Sequence, residues 1–277
     1  MWVMENNLSI GEVNDWSRAV QFGDGVFETM AIKDGRSQAL SLHANRLSLG
    51  LSALYIPLPA DDLTSLLLSY INQMVQLSGV QSGVLKIIVS RANSARGYGF
   101  NSSLKPVVTA FYSTRQEYPV SHYQDGIALQ KLHTQCSVQP QLAGLKHLNR
   151  LENVLAKNEL SVDFFDGVMS NYLGNIIECT ASNVFFEKQS KLYTPDLLVS
   201  GVAGIMRLLI MQYCKKNRIP LSVQDINHAD VSSYDGAFIC NSLMGAMPVN
   251  IIGKQELTIT PLVRKITDAV RSGKIYE

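Results

Sequence analysis

The stretch Gly144-Leu145-Lys146-His147-Leu148-Asn149-Arg150-Leu151-Glu152 places one lysine directly before a predicted helix. Apolar side chains lie on one face of that helix, at Leu148, Leu151 and Leu155. Asn149 with Glu152 three residues later forms a capping-box pattern, which predicts that the helix begins here. Because loss of water lowers the pKa of a lysine, Lys146 is a candidate for Schiff-base chemistry. The alternative is a surface lysine beside a helix.

The composition of the chain argues against several classes of function. Its 277 residues, 46% of them hydrophobic, are enough for one large domain or two modest ones. The formal net charge is +1, so we do not expect a nucleic-acid-binding surface. The four cysteines are scattered, as is typical of reduced thiols in a cytoplasmic protein. No signal-peptide pattern or membrane-spanning run is present, and the histidines lack metal-ligand spacing, so we expect neither membrane nor metal binding.

Strands and helices alternate without the regular rhythm of a doubly wound sheet, which predicts a mixed α/β (α+β) fold of two subdomains. Periodicity predicts strands at 26–32, 85–90, 107–112, 127–133, 168–172, 176–180, 183–187 and 237–240. It predicts further helices at 41–54, 61–78, 205–216 and 261–272. The three strands between 168 and 187 are expected to form a meander. A polar segment predicts a linker at 115–122, between subdomains of residues 1–114 and 123–277, the second of which carries the lysine.

Three separate features suit the binding of an anionic group such as a phosphate. The segment 201–207 (GVAGIMR) is a small-residue loop that enters a helix, and the free N–H groups of a helix start attract phosphate. Ser242 offers a hydroxyl after a predicted buried strand, and Arg46 offers a guanidinium from an apolar helix. Each feature has a simpler alternative: an ordinary helix start, a polar turn, and an arginine whose head stays in water.

Two further charged residues suggest a cofactor and a substrate. Glu178 lies in a predicted strand that is otherwise poor in charge, and a half-buried carboxylate needs a cationic partner such as a protonated pyridine nitrogen. An ion pair with a nearby arginine and an exposed strand face are the alternatives. Arg96, in a loop with Gly97 and Tyr98, suits a substrate carboxylate, although a solvated loop arginine has the same pattern. A Schiff-base lysine, a ring-nitrogen partner and a phosphate site together suit pyridoxal phosphate.

Several motifs of the chain resemble those of the aminodeoxychorismate lyases, a group within the fold-type IV pyridoxal-phosphate enzymes. That family also includes branched-chain and D-amino-acid aminotransferases. The matching stretches, which run through most of the chain, are 21–29, 43–47, 90–98, 144–155, 178–183, 201–207 and 241–249. The Gly-Asp-Gly and 178–183 stretches are shared by the wider family. The 146–152 run, the Arg-Gly-Tyr loop at 96–98 and Asn-Ser-Leu-Met at 241–244 resemble the lyases specifically.

The resemblance implies roles for individual residues. It implies that the cofactor is bound by Lys146, Arg46, Glu178, Asn183, Gly204, Ile205 and Ser242. Within this set, Lys146 is the catalytic lysine and Glu178 is the partner of the ring nitrogen. It implies that the substrate contacts Arg96, Tyr98 and Phe27. It also implies two α/β subdomains with the cofactor between them, and a homodimer.

The resemblance further implies a reaction, the conversion of 4-amino-4-deoxychorismate to 4-aminobenzoate and pyruvate on the route to folate. An aminotransferase of the same fold, acting on a branched-chain or D-amino acid, is the first alternative and would use the same lysine and glutamate. A non-catalytic protein that binds a phosphate-bearing ligand is the second. The presence of both Lys146 and Glu178 argues against it, because a binding protein needs neither.

Overall fold

A computed structural model of the chain describes residues 2–5, 17–92 and 97–277, and for residues 2–5 it describes the backbone only. The chain divides into two compact units. Unit 1 comprises Met1–Gln116 and Leu145–Asn149, and unit 2 comprises Glu117–Gly144 and Arg150–Glu277. In the part of the chain that is described, no helix has the length and apolar character needed to cross a membrane.

Unit 1 is built on a sheet that has five strands within the described residues. The strands are β1 (Trp2–Glu5), β2 (Gly25–Lys33), β3 (Arg36–Ser37), β4 (Gly83–Ser90) and β5 (Val107–Ser113). The helices are α1 (Arg18–Phe22), α2 (Leu40–Ala53) and α3 (Leu63–Ser78). The strand order is β1-β5-β4-β2-β3, and every neighbouring pair is antiparallel.

One face of this sheet forms the core of unit 1 together with α2 and α3. Alternate side chains of β2, β4 and β5 are buried, as period-2 patterning requires. The buried cluster includes Met30, Leu85 and Ala110 from the strands and Leu47 and Ile71 from the helices. The opposite face carries half-buried side chains, among them Phe27 and Lys86.

Unit 2 contains a larger mixed sheet, with nine strands among the described residues. The strands are β6 (Ile127–Gln135), β7 (Asp166–Ser170), β8 (Ile176–Cys179), β9 (Asn183–Lys188), β10 (Lys191–Pro195), β11 (Leu221–Gln224), β12 (Gly236–Asn241), β13 (Gly245–Ile252) and β14 (Gln255–Glu256). The helices are α4 (Val120–Gln124), α5 (Leu151–Glu159), α6 (Ile205–Lys216) and α7 (Pro261–Arg271), with 3-10 turns at His228–Ser233 and Lys274–Tyr276. The order is β11-β10-β9-β12-β13-β6-β7-β8, and β14 pairs with β13.

The lysine segment lies in unit 1, whereas the sequence placed it in the second subdomain. Residues 145–149 pair with the start of β2 and therefore belong to the unit that contains that strand. The N–H of Phe27 donates to the carbonyl of Lys146 at 2.9 Å, and the N–H of Leu148 donates to the carbonyl of Gly25 at 3.0 Å. The unit boundary at Gln116 and Glu117 falls inside the predicted linker, but α4 begins within it, at Val120.

The helix after the lysine differs from its prediction. It begins at Leu151 and has Arg150 as its N-cap residue, without a side-chain cap hydrogen bond, so the predicted capping box is wrong. Glu152 instead accepts hydrogen bonds from the backbone N–H and the hydroxyl of Ser137. Leu151 and Leu155 lie one turn apart on the helix, and the face that they form is exposed, at 70% and 56%. The helix packs through its other side, on which Ala156 is buried.

The predicted meander between 168 and 187 is also wrong. Strands β7 and β8 pair as a hairpin, but β9 pairs with β10 and β12. The carboxylate of Asp166 binds the hydroxyls of Thr180 and Ser182, which fixes a turn directly after β8. That turn directs the chain away from β8, so the third strand joins the sheet elsewhere.

Candidate active site

Lys146 has a fixed backbone and an ammonium group that lies beside an aromatic ring. The two hydrogen bonds to β2 hold residues 146–148, and His147 is buried between them. The Nζ atom of Lys146 lies 4.3 Å from the centroid of the Phe27 ring. A cation at this distance over a ring face is attracted by its quadrupole. The side chain of Lys146 is therefore half-buried, and its backbone is held by pairing with β2 rather than by a helix cap.

Arg46 lies on α2 and is bound to a buried carboxylate. Its Nε and Nη2 atoms donate to Glu28 Oε1 and Oε2 at 2.7 and 2.6 Å, and His43 Nδ1 lies 2.7 Å from Oε2. Burial acts to raise the pKa of Glu28, but the hydrogen bonds and charges of Arg46 and His43 outweigh it and lower the pKa to about 2. Arg46 is thus a cation fixed by two parallel bonds, with 12% of its side chain exposed.

Glu178 is buried on β8 in unit 2, with 5% exposure. Its Oε2 atom accepts a hydrogen bond from the N–H of Val202 at 2.8 Å, so the carboxylate holds the start of the 201–207 loop. Arg150 interacts electrostatically with Glu178: burial lowers the pKa of Arg150, and the negative charge of Glu178 opposes that shift. The sequence left an arginine partner for Glu178 as an alternative, and it assigned no role to Arg150.

The start of α6 follows a loop that is fixed by a side chain of β9. Gly204 is the N-cap residue of the helix and Ile205 its first residue, and glycine has no side chain that could cap it. Asn183 fixes the loop, because its Nδ2 donates to the carbonyl of Val202 at 2.9 Å and its Oδ1 accepts from the N–H of Gly204 at 3.1 Å. A Cβ atom at position 204 would lie 2.1 Å from Asn183 Oδ1, so this close approach requires glycine.

Ser242 lies in the turn between β12 and β13, next to the turn that precedes β9. Cys240 is the pairing partner of Asn183, and Asn241 Nδ2 donates to the carbonyl of Ala181 at 3.1 Å. Asn241 Oδ1 also accepts from the two N–H groups that follow Ser242, which fixes the turn. The structure therefore brings Asn183, Gly204 and the Ser242 turn together within unit 2, as the phosphate-site hypothesis requires.

The predicted substrate residues are described only in part. Phe27 is half-buried on β2 beneath the Lys146 ammonium, and Tyr98 is 84% exposed in a loop of the same unit. Arg96 lies outside the described residues. The sequence reasoning did not single out Lys86, whose Nζ lies 5.0 Å from the centroid of the same Phe27 ring. Period-2 alternation of β2 and β4, which places the two residues on one face, was the signal that could have found it.

Comparison with known proteins identifies the class to which this fold and site belong. A family model described as amino-transferase class IV matches residues 25–252. The chain belongs to this family, and its mixed α/β fold is the fold-type IV fold that the sequence predicted.

Individual relatives are similar over nearly their whole length. The chain is 34% identical over 267 residues to an aminodeoxychorismate lyase of Vibrio harveyi, which covers 96% of both sequences. It is 26% identical over 279 residues to a D-alanine aminotransferase of Bacillus licheniformis, covering 99% of this chain and 95% of the relative. The crystal structure of 4-amino-4-deoxychorismate lyase from Pseudomonas aeruginosa superimposes with a TM-score of 0.91 at 33% identity, covering 98% of each chain.

Proposed function

We propose that the protein is a pyridoxal-phosphate-dependent lyase that converts 4-amino-4-deoxychorismate to 4-aminobenzoate and pyruvate, a step toward folate. The observation that carries this proposal is the sequence identity to aminodeoxychorismate lyases, 33–34% over nearly the whole chain, which exceeds the 26% identity to the D-alanine aminotransferase. The 146–152 run is part of the matched region.

The side chains and backbone groups present fit pyridoxal phosphate. The uncapped start of α6, held by Asn183 and Gly204, offers N–H groups to a phosphate, and the Ser242 hydroxyl belongs to the adjacent turn. Arg46 of unit 1, which the family resemblance implies as a further phosphate ligand, is paired with Glu28. The buried carboxylate of Glu178 is an acceptor suited to a protonated ring nitrogen. When bound, the cofactor supplies an electron sink for cleavage of bonds next to the substrate nitrogen.

Two residues of the proposal would act directly in the reaction. Lys146 would be the residue that holds the cofactor, and its free amine removes the proton from the ring carbon of the substrate that bears nitrogen. Glu178 keeps the ring nitrogen protonated. As the enolpyruvyl group leaves, Lys146 returns a proton to the enol carbon, and formation of the aromatic ring drives the step. The substrate has two carboxylates, so Lys86 joins Arg96, Tyr98 and Phe27 as a proposed substrate contact.

The direct test is an assay with the purified protein. Incubation with enzymatically made 4-amino-4-deoxychorismate is expected to yield 4-aminobenzoate and pyruvate in equal amounts. Formation of keto acids from D-alanine or branched-chain amino acids, with no 4-aminobenzoate, would instead establish an aminotransferase. A protein that neither turns over substrate nor changes its absorbance with added pyridoxal phosphate would support the non-catalytic alternative.

Replacement of the lysine gives the largest expected loss of activity. Lys146→Ala is expected to lower kcat by roughly a thousandfold or more and to abolish the absorbance of covalently bound cofactor, because the nucleophile and proton carrier is gone. Lys157→Ala, at an exposed lysine on α5, is the matched control and is expected to retain full activity. Full turnover by the Lys146→Ala protein would rule out this lysine as the catalytic group.

Two further proposals concern the protein in the cell. We infer a homodimer, because α5 exposes Leu151, Val154 and Leu155 at 70%, 61% and 56%. Light scattering measures this directly, and a monomer at micromolar concentration would contradict it.

The four cysteines are free and buried, which fits a reducing compartment and supports a cytoplasmic location. Fractionation of cells that express the protein tests that location.

A further inference from the structure

Arg18 is a buried arginine to which the proposed cofactor site gives no role. It lies on α1 with 4% exposure. Its Nε donates to Asp24 Oδ2 at 2.7 Å, and its guanidinium carbon lies 4.9 Å from the centroid of the Phe22 ring. Burying a charged guanidinium is costly unless its five N–H donors find acceptors. The remaining donors therefore indicate what this residue holds.

These donors bind three consecutive backbone carbonyls. Nη1 donates to the carbonyls of Gly97 and Gly99 at 3.0 and 3.1 Å, and Nη2 donates to that of Tyr98 at 3.2 Å. Three successive carbonyls converge on one group only if the backbone curls around it, and Gly97 has a φ of 76°, in the left-handed region. We call residues 97–99 the carbonyl loop.

The carbonyl loop and the residue after it also contact Phe22 and Arg91. The Tyr98 ring lies 5.3 Å from the Phe22 ring, and the residue after the loop, Phe100, lies 3.7 Å below the Arg91 guanidinium. Tyr98 and Phe100 are 84% and 48% exposed, so burial contributes little to holding them. Charge-assisted hydrogen bonds from Arg18 therefore contribute to ordering this segment.

Asp24 connects the loop to the strand that holds the lysine. It accepts Arg18 Nε on Oδ2 and Arg91 Nε on the same atom at 2.9 Å, and its backbone carbonyl accepts from the N–H of Arg91 at 3.1 Å. The next residue, Gly25, accepts the hydrogen bond from Leu148 that fixes the lysine segment. One short stretch of backbone therefore positions both the carbonyl loop and Lys146.

We propose that Arg18 is a positioning residue that holds the carbonyl loop, and with it Tyr98, in the conformation that binds substrate. The substrate role of Tyr98 rests on the proposed function, whereas the holding role of Arg18 does not. Loss of Arg18 then weakens substrate binding without removing any group that acts on the cofactor.

The experiment compares Arg18→Lys and Arg18→Met with Arg36→Met, a control at an exposed arginine of β3. Cleavage by chymotrypsin after Tyr98 and Phe100, followed by mass spectrometry, reports loop opening without reference to activity. We expect cleavage to accelerate roughly tenfold or more in Arg18→Met, because three hydrogen bonds from a charged donor are lost. We expect KM for the lyase substrate to rise roughly tenfold while kcat changes less than about twofold. Arg18→Lys, which keeps the charge but has one nitrogen, is expected to fall between wild type and Arg18→Met.

The outcomes separate the inference from the proposed function. Unchanged cleavage in both Arg18 variants would overturn the holding role. Faster cleavage with an unchanged KM in an active lyase would overturn the link to substrate, as would parallel loss of kcat, bound cofactor and Tm. If the wild-type protein makes no 4-aminobenzoate, the proposed function fails and the cleavage rates alone decide the holding role. Should the Arg18 variants not fold, Phe22→Leu removes the ring contact to Tyr98 and is expected to accelerate the same cleavage, and an unchanged rate would count against the inference.

Discussion

Glu28 in unit 1 and Asp166 in unit 2 are buried carboxylates that bind different kinds of donor. In unit 1, Glu28 accepts two hydrogen bonds from the guanidinium of Arg46, and its other contact is the ring of His43. In unit 2, Asp166 accepts bonds from two backbone N–H groups and two hydroxyls. The carboxylate of Glu28 is therefore paired with a cationic side chain, whereas that of Asp166 is surrounded by neutral N–H and hydroxyl dipoles.

This difference decides how each site responds to substitution. A guanidinium has only donors, so it cannot adjust to a partner that loses an acceptor. A hydroxyl both donates and accepts, so it can turn and satisfy an amide in place of a carboxylate. Glu28 should therefore be sensitive to a neutral isostere, and Asp166 should tolerate one.

The largest expected loss of stability is that of Glu28→Gln in unit 1. Its amide NH2 would face Arg46 or His43, which leaves a buried cation without its partner and costs about 3–5 kcal/mol of unfolding free energy. Urea denaturation monitored by circular dichroism measures this loss. A loss of unfolding free energy below about 1 kcal/mol would mean that water accepts the hydrogen bonds of Arg46 in place of the carboxylate. The contrast between Glu28 and Asp166 would then disappear.

Acid titration of the wild-type protein probes the same pair. The folded-state pKa of Glu28 is lowered from 4.5 to about 2, so its contribution is fully present above pH 4.5 and is lost as the pH falls toward 2. The shift corresponds to about 3 kcal/mol. We expect the Glu28→Gln protein to lose less stability than wild type over this pH range, and parallel curves for the two proteins would contradict the assignment.

Gly204→Ala tests the backbone-based site of unit 2. The added Cβ would displace Asn183 Oδ1, and the two Asn183 hydrogen bonds that hold the loop are together worth about 2 kcal/mol. We expect cofactor affinity, measured by absorbance titration, to fall accordingly. Asn183→Ala removes the obstructing atom, so the two substitutions together should cost less than the sum of their separate effects. Additive costs would show that the clash is not the cause.

The smallest expected effect is that of Asp166→Asn, the matched isostere in unit 2. The amide oxygen keeps the N–H groups of Gly167 and Thr180, and the Ser182 hydroxyl turns to accept from the new NH2. The expected loss is therefore about 1 kcal/mol, measured in the same urea denaturation. A loss as large as that of Glu28→Gln would show that charge, not donor flexibility, governs both sites.

The sequence predicted those parts of the molecule that local patterns encode. The helix at 205–216 was predicted with both of its observed ends, and β2, β4 and β5 of unit 1 were predicted to within about two residues, whereas β1 was not predicted. The glycine loop before that helix was recognisable because glycines and a helix start follow one another in the chain. Short edge strands such as β3 and β14, at two residues each, leave no periodic pattern and were missed.

Contacts between distant residues could not be predicted in the same way. Arg18 and the carbonyl loop are about 80 residues apart, and nothing local in either segment indicates the other. The lysine segment was assigned to the wrong unit for the same reason, because its partner strand lies more than 100 residues earlier. The exposure of the apolar residues of α5 was not predicted, since periodicity alone does not distinguish a buried stripe from an exposed one.

The insertion of residues 145–149 into unit 1 has a consequence for the nascent chain. When the ribosome has synthesised residues 1–116, all five described strands of the unit 1 sheet are present in the nascent chain. The segment 145–149, which pairs with the start of β2, has not yet been synthesised. Until residue 149 emerges, the amide of Phe27 and the carbonyl of Gly25 present an unpaired edge. The first unit is therefore completed only after translation of the second has begun, and the stretch that carries Lys146 also closes this edge.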